Sequence, residues 1–248
     1  MHYNAPMPSE PRILLHGWGM SPDVLAPLVD SWGRDSVVVP ALPGYPGSCW
    51  SGASEFAVQV ETMGSNLAAG HLIGWSLGGL YAIELARLYP QKFARVTLLA
   101  CNPCFVSRPD WECGVDAAIF DAFSADLARD WRRTLRRFLA LQVQGEAEAR
   151  QLARSLGEMV VARGEPDSAT LAYGLELLQT QDARPSLAQL SAETSLILGE
   201  RDRLVPIGLA QQIREVAPRI RVESVAGAAH APFLSHTAEV VALIDRDR

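Results

Sequence analysis

A serine set among glycines is where this chain first reads as chemistry. Gly74-Trp75-Ser76-Leu77-Gly78 fits the pattern Gly-x-Ser-x-Gly, with Gly79 directly after it. An apolar run, Leu72 to Trp75, enters the motif, and a helical pattern, Leu77 to Tyr89, leaves it. A serine on a tight strand-to-helix turn needs small neighbours, because the backbone there is strained and closely packed. Such a turn lifts the hydroxyl above the sheet edge. The helix start adds free N–H groups and the positive end of a dipole. Ser76 is the candidate nucleophile. The bland alternative is a polar residue at the tip of a glycine-rich connection.

A serine hydroxyl is a weak nucleophile until a base takes its proton. After a strand–serine–helix turn, the acid and the base follow in the order Ser, Asp, His. Of the five histidines, His2 lies in the terminus, and His16 and His71 precede the serine. His236 lies near the start of the last helix pattern, where capping or surface exposure is the simpler role. His230 sits in the small-residue loop Gly227-Ala228-Ala229-His230-Ala231-Pro232, after the last strand-like run, and is the candidate base. Asp202 follows the apolar run Leu196-Ile197-Leu198 and would hold the imidazole tautomer and stabilise the imidazolium. Glu200 is its nearest competitor; either residue read blandly is a solvated loop charge. The developing oxyanion needs two donors. The N–H of Leu77 is one, and the N–H of Trp18, in His16-Gly17-Trp18-Gly19 after an early strand, is the other. His16 would prop that loop, and Trp75 would pack rather than react.

These residues need elements to hold them. Arg12 to His16, Ser36 to Val39, His71 to Trp75, Val96 to Ala100, Ser195 to Leu198 and Ile220 to Val225 read as strands. Most are continuous apolar runs, which suit a parallel sheet covered on both faces. Helical patterns at Glu55 to Ala69, Leu77 to Tyr89, Ile207 to Ala217 and Thr237 to Asp245 alternate with them, so the fold expected is a doubly wound α/β sheet. Residues 106–185 break the rhythm with no convincing strand. Three helices are expected there, over Gly114 to Leu141, Glu146 to Arg163 and Asp167 to Gln179. The expected organisation is a core of residues 1–105 and 186–248 with an all-helical lid inserted at 106–185.

Composition bounds the rest. The chain has 248 residues, 48% hydrophobic and 20% charged, which suits a globular protein with a sizeable core. A net charge of -6 argues against a nucleic-acid partner bound through a basic surface. No apolar run approaches the ~20 residues of a membrane span, and Met1 to Pro11 does not read as a signal peptide. A cytoplasmic protein is expected. Cys101 and Cys104 have ligand spacing, but no second pair accompanies them, so no metal and no cofactor is expected.

The chain resembles the α/β-hydrolases. Within them it is similar to the pimeloyl-[acyl-carrier protein] methyl ester esterases of biotin synthesis. The matching segments are His16-Gly17-Trp18-Gly19, Leu42-Pro43-Gly44-Tyr45-Pro46-Gly47-Ser48, Gly74-Trp75-Ser76-Leu77-Gly78-Gly79, Phe138-Leu139-Ala140-Leu141-Gln142 and Ala228-Ala229-His230-Ala231-Pro232-Phe233. The resemblance implies an α/β-hydrolase fold with a mostly parallel central sheet. It implies a substrate site lined by Trp18, Ser76, Leu77, Phe138, Leu139, Ala140, Leu141, Gln142 and His230. It also implies an acyl-carrier protein as partner, met by Arg133, Arg137, Arg150 and Arg154.

Charge supports that partner separately. Arg129 to Arg154 holds seven arginines and three acids, so this stretch is +4 and the remainder of a chain at -6 is -10. A positive patch beside the site would steer an acidic carrier; the bland alternative is an ordinary solvated helix surface. Trp111 and Trp131 either line an acyl channel or bury the lid. The expected activity is hydrolysis of a carrier-bound pimeloyl methyl ester by a monomer. A general short-chain carboxylesterase, a carbon–carbon bond hydrolase and a non-catalytic binding protein of the same fold are the alternatives.

Overall fold

The computed structural model describes residues 10–246; His2 and the rest of the segment before Glu10 lie outside the described residues. Six parallel strands form one sheet: β1 (Arg12–Leu15), β2 (Val37–Val38), β3 (His71–Trp75), β4 (Arg95–Leu99), β5 (Glu193–Gly199) and β6 (Arg221–Val225). Their spatial order is β2-β1-β3-β4-β5-β6. The chain therefore steps outward from β1 to β2, returns to β3 on the other side, and then builds in one direction. Where the winding reverses, the carboxyl ends of β1 and β3 leave a crevice between their loops, the usual ligand position in open α/β sheets. The register pairs Leu15 with Gly74, so the loop after β1 and the Ser76 turn emerge side by side.

The continuous apolar runs are buried as parallel strands require: every residue of β1 and β3 is buried. β2 is shorter than the expected Ser36 to Val39. Among the described residues it is an edge strand, paired only to β1, with Val38 exposed. The helices of the core are α1 (Ala26–Trp32), α2 (Phe56–Asn66), α3 (Leu77–Leu88), α9 (Leu209–Val216), α10 (Pro232–Ser235) and α11 (Thr237–Asp245). α3 buries Leu80, Ile83 and Leu85 among others, so it runs through the core as a rigid backing for the serine turn. Burying each such side chain stabilises by roughly 1.5–3 kcal/mol, and Leu80→Ala would cost about 2–5 kcal/mol.

Between β4 and β5 lie α4 (Ala117–Arg129), α5 (Trp131–Gln142), α6 (Ala149–Ala162), α7 (Ser168–Thr180) and α8 (Arg184–Ala188). The single helix expected over Gly114 to Leu141 is two. The break falls at Asp130, with φ -152° and ψ 82°. The Asp130 carboxylate accepts the Arg133 N–H at 3.0 Å and caps α5, while its own N–H donates to the Asp126 carbonyl and closes α4. Apolar periodicity runs through this point and hides the break. Asp116 and Asp167 cap α4 and α7 in the same way.

The inserted helices pack on the core through α5, α6 and α7. The Trp18 indole N–H donates to the Leu171 carbonyl at 2.8 Å, and the Ser21 hydroxyl to the Met159 carbonyl at 3.0 Å. Arg163 and Asp23 close the far end with a two-bond pair at 2.8 Å each. Trp111 is buried, donating to Asn102 Oδ1 at 3.0 Å beneath the Arg184 guanidinium, and Trp131 stacks against Arg132. Both tryptophans pack; neither borders the apolar cleft described below.

Candidate active site

Ser76 stands at the end of β3 with φ 53° and ψ -118°. A non-glycine residue held at positive φ is strained, by roughly 1–3 kcal/mol, and persists only where its surroundings over-determine it. Here they do. The Ser76 N–H donates to the Leu99 carbonyl, and the Ser76 carbonyl accepts the Gly79 N–H, both at 2.9 Å. A side chain at Gly74 would meet the Gly78 carbonyl oxygen at 2.5 Å, and one at Gly78 would strike the Leu15 carbonyl. The glycines of the motif are thus set by backbone packed on backbone, not by flexibility.

His230 and Asp202 meet beside Trp75, at the end of β3. The imidazole Nδ1 lies 2.7 Å from Asp202 Oδ2, and both side chains are almost wholly removed from solvent. The other carboxylate oxygen, Oδ1, accepts the N–H groups of Leu204 (2.8 Å) and Val205 (2.9 Å). With one oxygen held by the backbone and the other on Nδ1, the ring donates from Nδ1 and keeps its lone pair on Nε2. That nitrogen is buried and has no hydrogen-bond partner among the described residues. A buried polar atom without a partner is uncommon, and at this position it is the atom a general base uses. Trp75 steadies the loop: its indole N–H donates to the His230 carbonyl at 2.9 Å, and its ring packs on Phe233.

Glu200 is not beside the imidazole; its carboxylate accepts the Gly227 N–H at 2.7 Å and holds the far end of the same loop. His236 lies at the α10–α11 junction, paired with the Ser235 hydroxyl at 2.7 Å. His71 is buried within the sheet against Thr97.

The loop after β1 is rigid. His16 is fully buried, its Nδ1 facing the Gly17 carbonyl (2.9 Å) and its Nε2 accepting the Leu42 N–H (3.0 Å). Burial drives its pKa down to about 4, so the ring is neutral and bridges two backbones. The Gly19 N–H donates to the Tyr45 hydroxyl and the Met20 N–H to the Gly17 carbonyl. The Trp18 N–H takes part in none of these bonds among the described residues. The Leu77 N–H, the first of α3, has no acceptor one turn earlier. A side chain at Gly17 would lie 3.3 Å from Ser76 Cβ, which brings this loop against the serine turn.

The buried Trp18 ring packs against the inserted helices. Phe138 and Phe123 pack edge-on to it, with centroids at 4.8 and 5.7 Å. They also line a cleft of about 100 Å³ made only of apolar side chains, Leu141, Leu175, Leu178 and Leu204 among them. The segment Phe138 to Gln142 is helical, so its residues do not share one face. Phe138 and Leu141, three apart, line the cleft. Leu139 turns to a groove between α5 and α6, Ala140 is exposed, and Gln142 is buried with its carbonyl accepting the Ala231 N–H at 3.2 Å.

The four arginines divide likewise. Arg133 and Arg137 share a side of α5, and Arg137 pairs with Asp126 at 3.0 Å. Arg154 lines the α5–α6 groove with Arg132 and Arg136, and Arg150 is exposed at the start of α6.

Sequence reasoning passed over Tyr45 and Gly174. Tyr45 supports the loop through its hydroxyl. Gly174 lies in mid-helix α7, where a side chain would fall 2.6 Å from the Trp18 ring. A glycine inside a helical pattern is the signal that could have found it. The cysteine pair is buried at the end of β4; Cys101 fills the space beside Gly79, and burial pushes its thiol up to about 12.

The model of the alpha/beta hydrolase family matches residues 13–243. A protein of Xanthomonas campestris pv. campestris named pimeloyl-[acyl-carrier protein] methyl ester esterase is 39% identical over 94% of this chain and 93% of its own length. The chain belongs to that family of alpha/beta hydrolases. A pimeloyl-[acyl-carrier protein] methyl ester esterase of Xylella fastidiosa is 37% identical over 94% of this chain and 92% of its own. Among solved structures, an esterase from Exiguobacterium antarcticum superposes with a TM-score of 0.82 at 18% identity, covering 95% of this chain and 90% of its own. That likeness carries the alpha/beta hydrolase fold alone.

Proposed function

We propose that this protein is a serine carboxylesterase that hydrolyses the methyl ester of a pimeloyl group on acyl-carrier protein. It thereby supplies the free distal carboxylate for biotin synthesis. The observation that carries the reading is the buried Asp202–His230 pair with Nε2 unpartnered, in a chain matching the named esterases over nearly its whole length.

In the proposed reaction His230 Nε2 takes the proton of Ser76 as its Oγ bonds to the ester carbonyl carbon. The carbonyl electron pair moves to oxygen, held by the N–H groups of Trp18 and Leu77; losing one such donor typically costs about 3–4 kcal/mol of transition-state stabilisation. The tetrahedral centre collapses, the bond to methoxide breaks, and the His230 proton leaves with it as methanol. Water, deprotonated by His230, then opens the acyl-enzyme, returning the hydrogen to Ser76 and releasing the carboxylate. The chemistry asks for no cofactor or metal.

Residues 106–185 act in this reading as a lid. The cleft from Phe138 to Leu204 takes the apolar acyl chain, and Arg133, Arg137, Arg150 and Arg154 receive the acidic carrier. Ser76→Ala should lower turnover of p-nitrophenyl esters and of pimeloyl-carrier methyl ester by on the order of 10⁴ or more with the fold intact. Retained turnover would remove the nucleophile. Charge reversal at the four arginines should weaken the carrier-bound substrate far more than a free methyl ester. Equal losses on both would favour a general carboxylesterase. Growth of a biotin auxotroph lacking this esterase on biotin-free medium, restored by the chain but not by Ser76→Ala, tests the biological role.

A further inference from the structure

The loop that carries His230 is held from two directions. From the core, the Glu200 carboxylate accepts the Gly227 N–H (2.7 Å) and the Val225 carbonyl accepts the Ala228 N–H (3.4 Å). From the inserted helices, Glu146 Oε1 accepts the Ala229 N–H at 2.7 Å, and the Gln142 carbonyl accepts the Ala231 N–H at 3.2 Å. These last two bonds fall on the residues immediately before and after the histidine. Glu146 Oε1 also accepts the Ser235 hydroxyl at 2.8 Å, so one carboxylate oxygen ties the approach to His230 to the helix that follows it. The turn that presents Glu146 is itself pinned, since Arg201 donates to the Gly145 carbonyl at 3.0 Å.

We infer that Glu146 is a positioning residue for the base: it sets where His230 Nε2 stands relative to Ser76, and it does so from outside the core. Asp202 fixes the ring about its Nδ1 and Trp75 holds the His230 carbonyl, while the N–H groups of the residues before and after the histidine are held by Glu146 and by Gln142 at the end of α5. An N–H to carboxylate bond is among the shorter and stronger of protein hydrogen bonds. A base displaced by a fraction of an ångström loses much of its effect, because proton transfer demands near-contact geometry. This inference rests on His230 being the base.

The bonding pattern makes a sharp test. Both hydrogen bonds end on the same oxygen, so the single carbonyl oxygen of glutamine can replace it without charge. Aspartate keeps the charge but withdraws the oxygen by one methylene. The measurement is kcat on a p-nitrophenyl ester, per serine titrated with a fluorophosphonate, which excludes misfolded protein from the count. Glu146→Ala is expected to lower this kcat by about ten-fold or more with KM little changed. Glu146→Gln should recover most of the loss and Glu146→Asp should not. Should Glu146→Ala fail to fold, the comparison of the glutamine and aspartate variants decides alone. In a His230→Ala background, where residual turnover is counted per folded protein by circular dichroism because the serine no longer titrates, Glu146→Ala should add no further loss. The inference is overturned if the alanine variant keeps its kcat per titrated site, if glutamine is as slow as aspartate, or if the loss persists without His230. His230→Ala with wild-type kcat would overturn the base assignment and this inference together. An inactive His230→Ala beside an unaffected Glu146→Ala would overturn only the positioning role.

Discussion

Asp202 divides its work between its two oxygens, and that division makes a substitution there informative. Asparagine at 202 can still accept the Leu204 and Val205 amides through one oxygen, but it then turns an NH2 group toward His230 Nδ1. The ring must answer with a lone pair on Nδ1, placing the proton on Nε2 where the base should be. Asp202→Asn should lower kcat by on the order of 10²–10⁴ with little change in thermal midpoint. A kcat within a few-fold of wild type would show that Asp202 does not set the tautomer. Ser76, Asp202 and His230 were legible in the sequence because each follows a recognisable apolar run, and their order along the chain is constrained. Glu200 and Glu146 were not. Glu200 was weighed only as a rival acid, and Glu146 only as a charge and as the start of an expected helix, whereas α6 begins at Ala149 and leaves Glu146 in the turn before it. Both act by accepting backbone N–H groups from residues far along the chain, and no local pattern announces such a bond.

At the level of elements, strand runs and core helices were readable from hydrophobic period, whereas the inserted helices were readable only in outline. The break at Asp130 was missed because capping is a property of one side chain and its backbone angle, and the apolar stripe passes over it unchanged. Removing that cap with Asp130→Ala should destabilise by about 1 kcal/mol, read as a lowered urea midpoint. Gly174 tests how tightly α7 must sit on the loop after β1, which carries the proposed oxyanion donor Trp18. Gly174→Val would drive a side chain into the Trp18 ring and break the fit of Leu171 on the indole N–H. Overpacking of this kind costs about 1–3 kcal/mol. Because the loop bears the Trp18 N–H, kcat should fall along with stability. A variant that loses stability but keeps its kcat per titrated serine would separate α7 from that loop. The helical pitch also explains why the contiguous segment Phe138 to Gln142, expected as one lining, reaches a cleft, a groove, solvent and the His230 loop in turn.

On the scale of the whole molecule, the acidic average conceals an arginine-rich outer layer on α5 and α6, which composition alone could not place. Burial has an equally global effect through His16. Its folded pKa of about 4 lies below the ordinary 6.5, so the unfolded chain binds the proton first as pH falls. Its contribution is complete above about pH 6.5 and is lost progressively down to about pH 4, amounting to about 3 kcal/mol. Unfolding free energies from urea titrations between pH 7 and 4.5 should decline less steeply in His16→Asn than in the wild type; equal slopes would exclude it. The core itself is interrupted: Trp75 precedes His230 by 155 residues, with all the inserted helices between them. A ribosome adding roughly 5–20 residues per second releases the serine turn about 8–30 s before the proposed base exists. In the proposed reaction Ser76 is, through that interval, an ordinary alcohol on an unfinished sheet, and esterase activity is expected only once the last strand and His230 arrive. Chains stalled before β6 should take up no fluorophosphonate label, and the same chains, once completed, should.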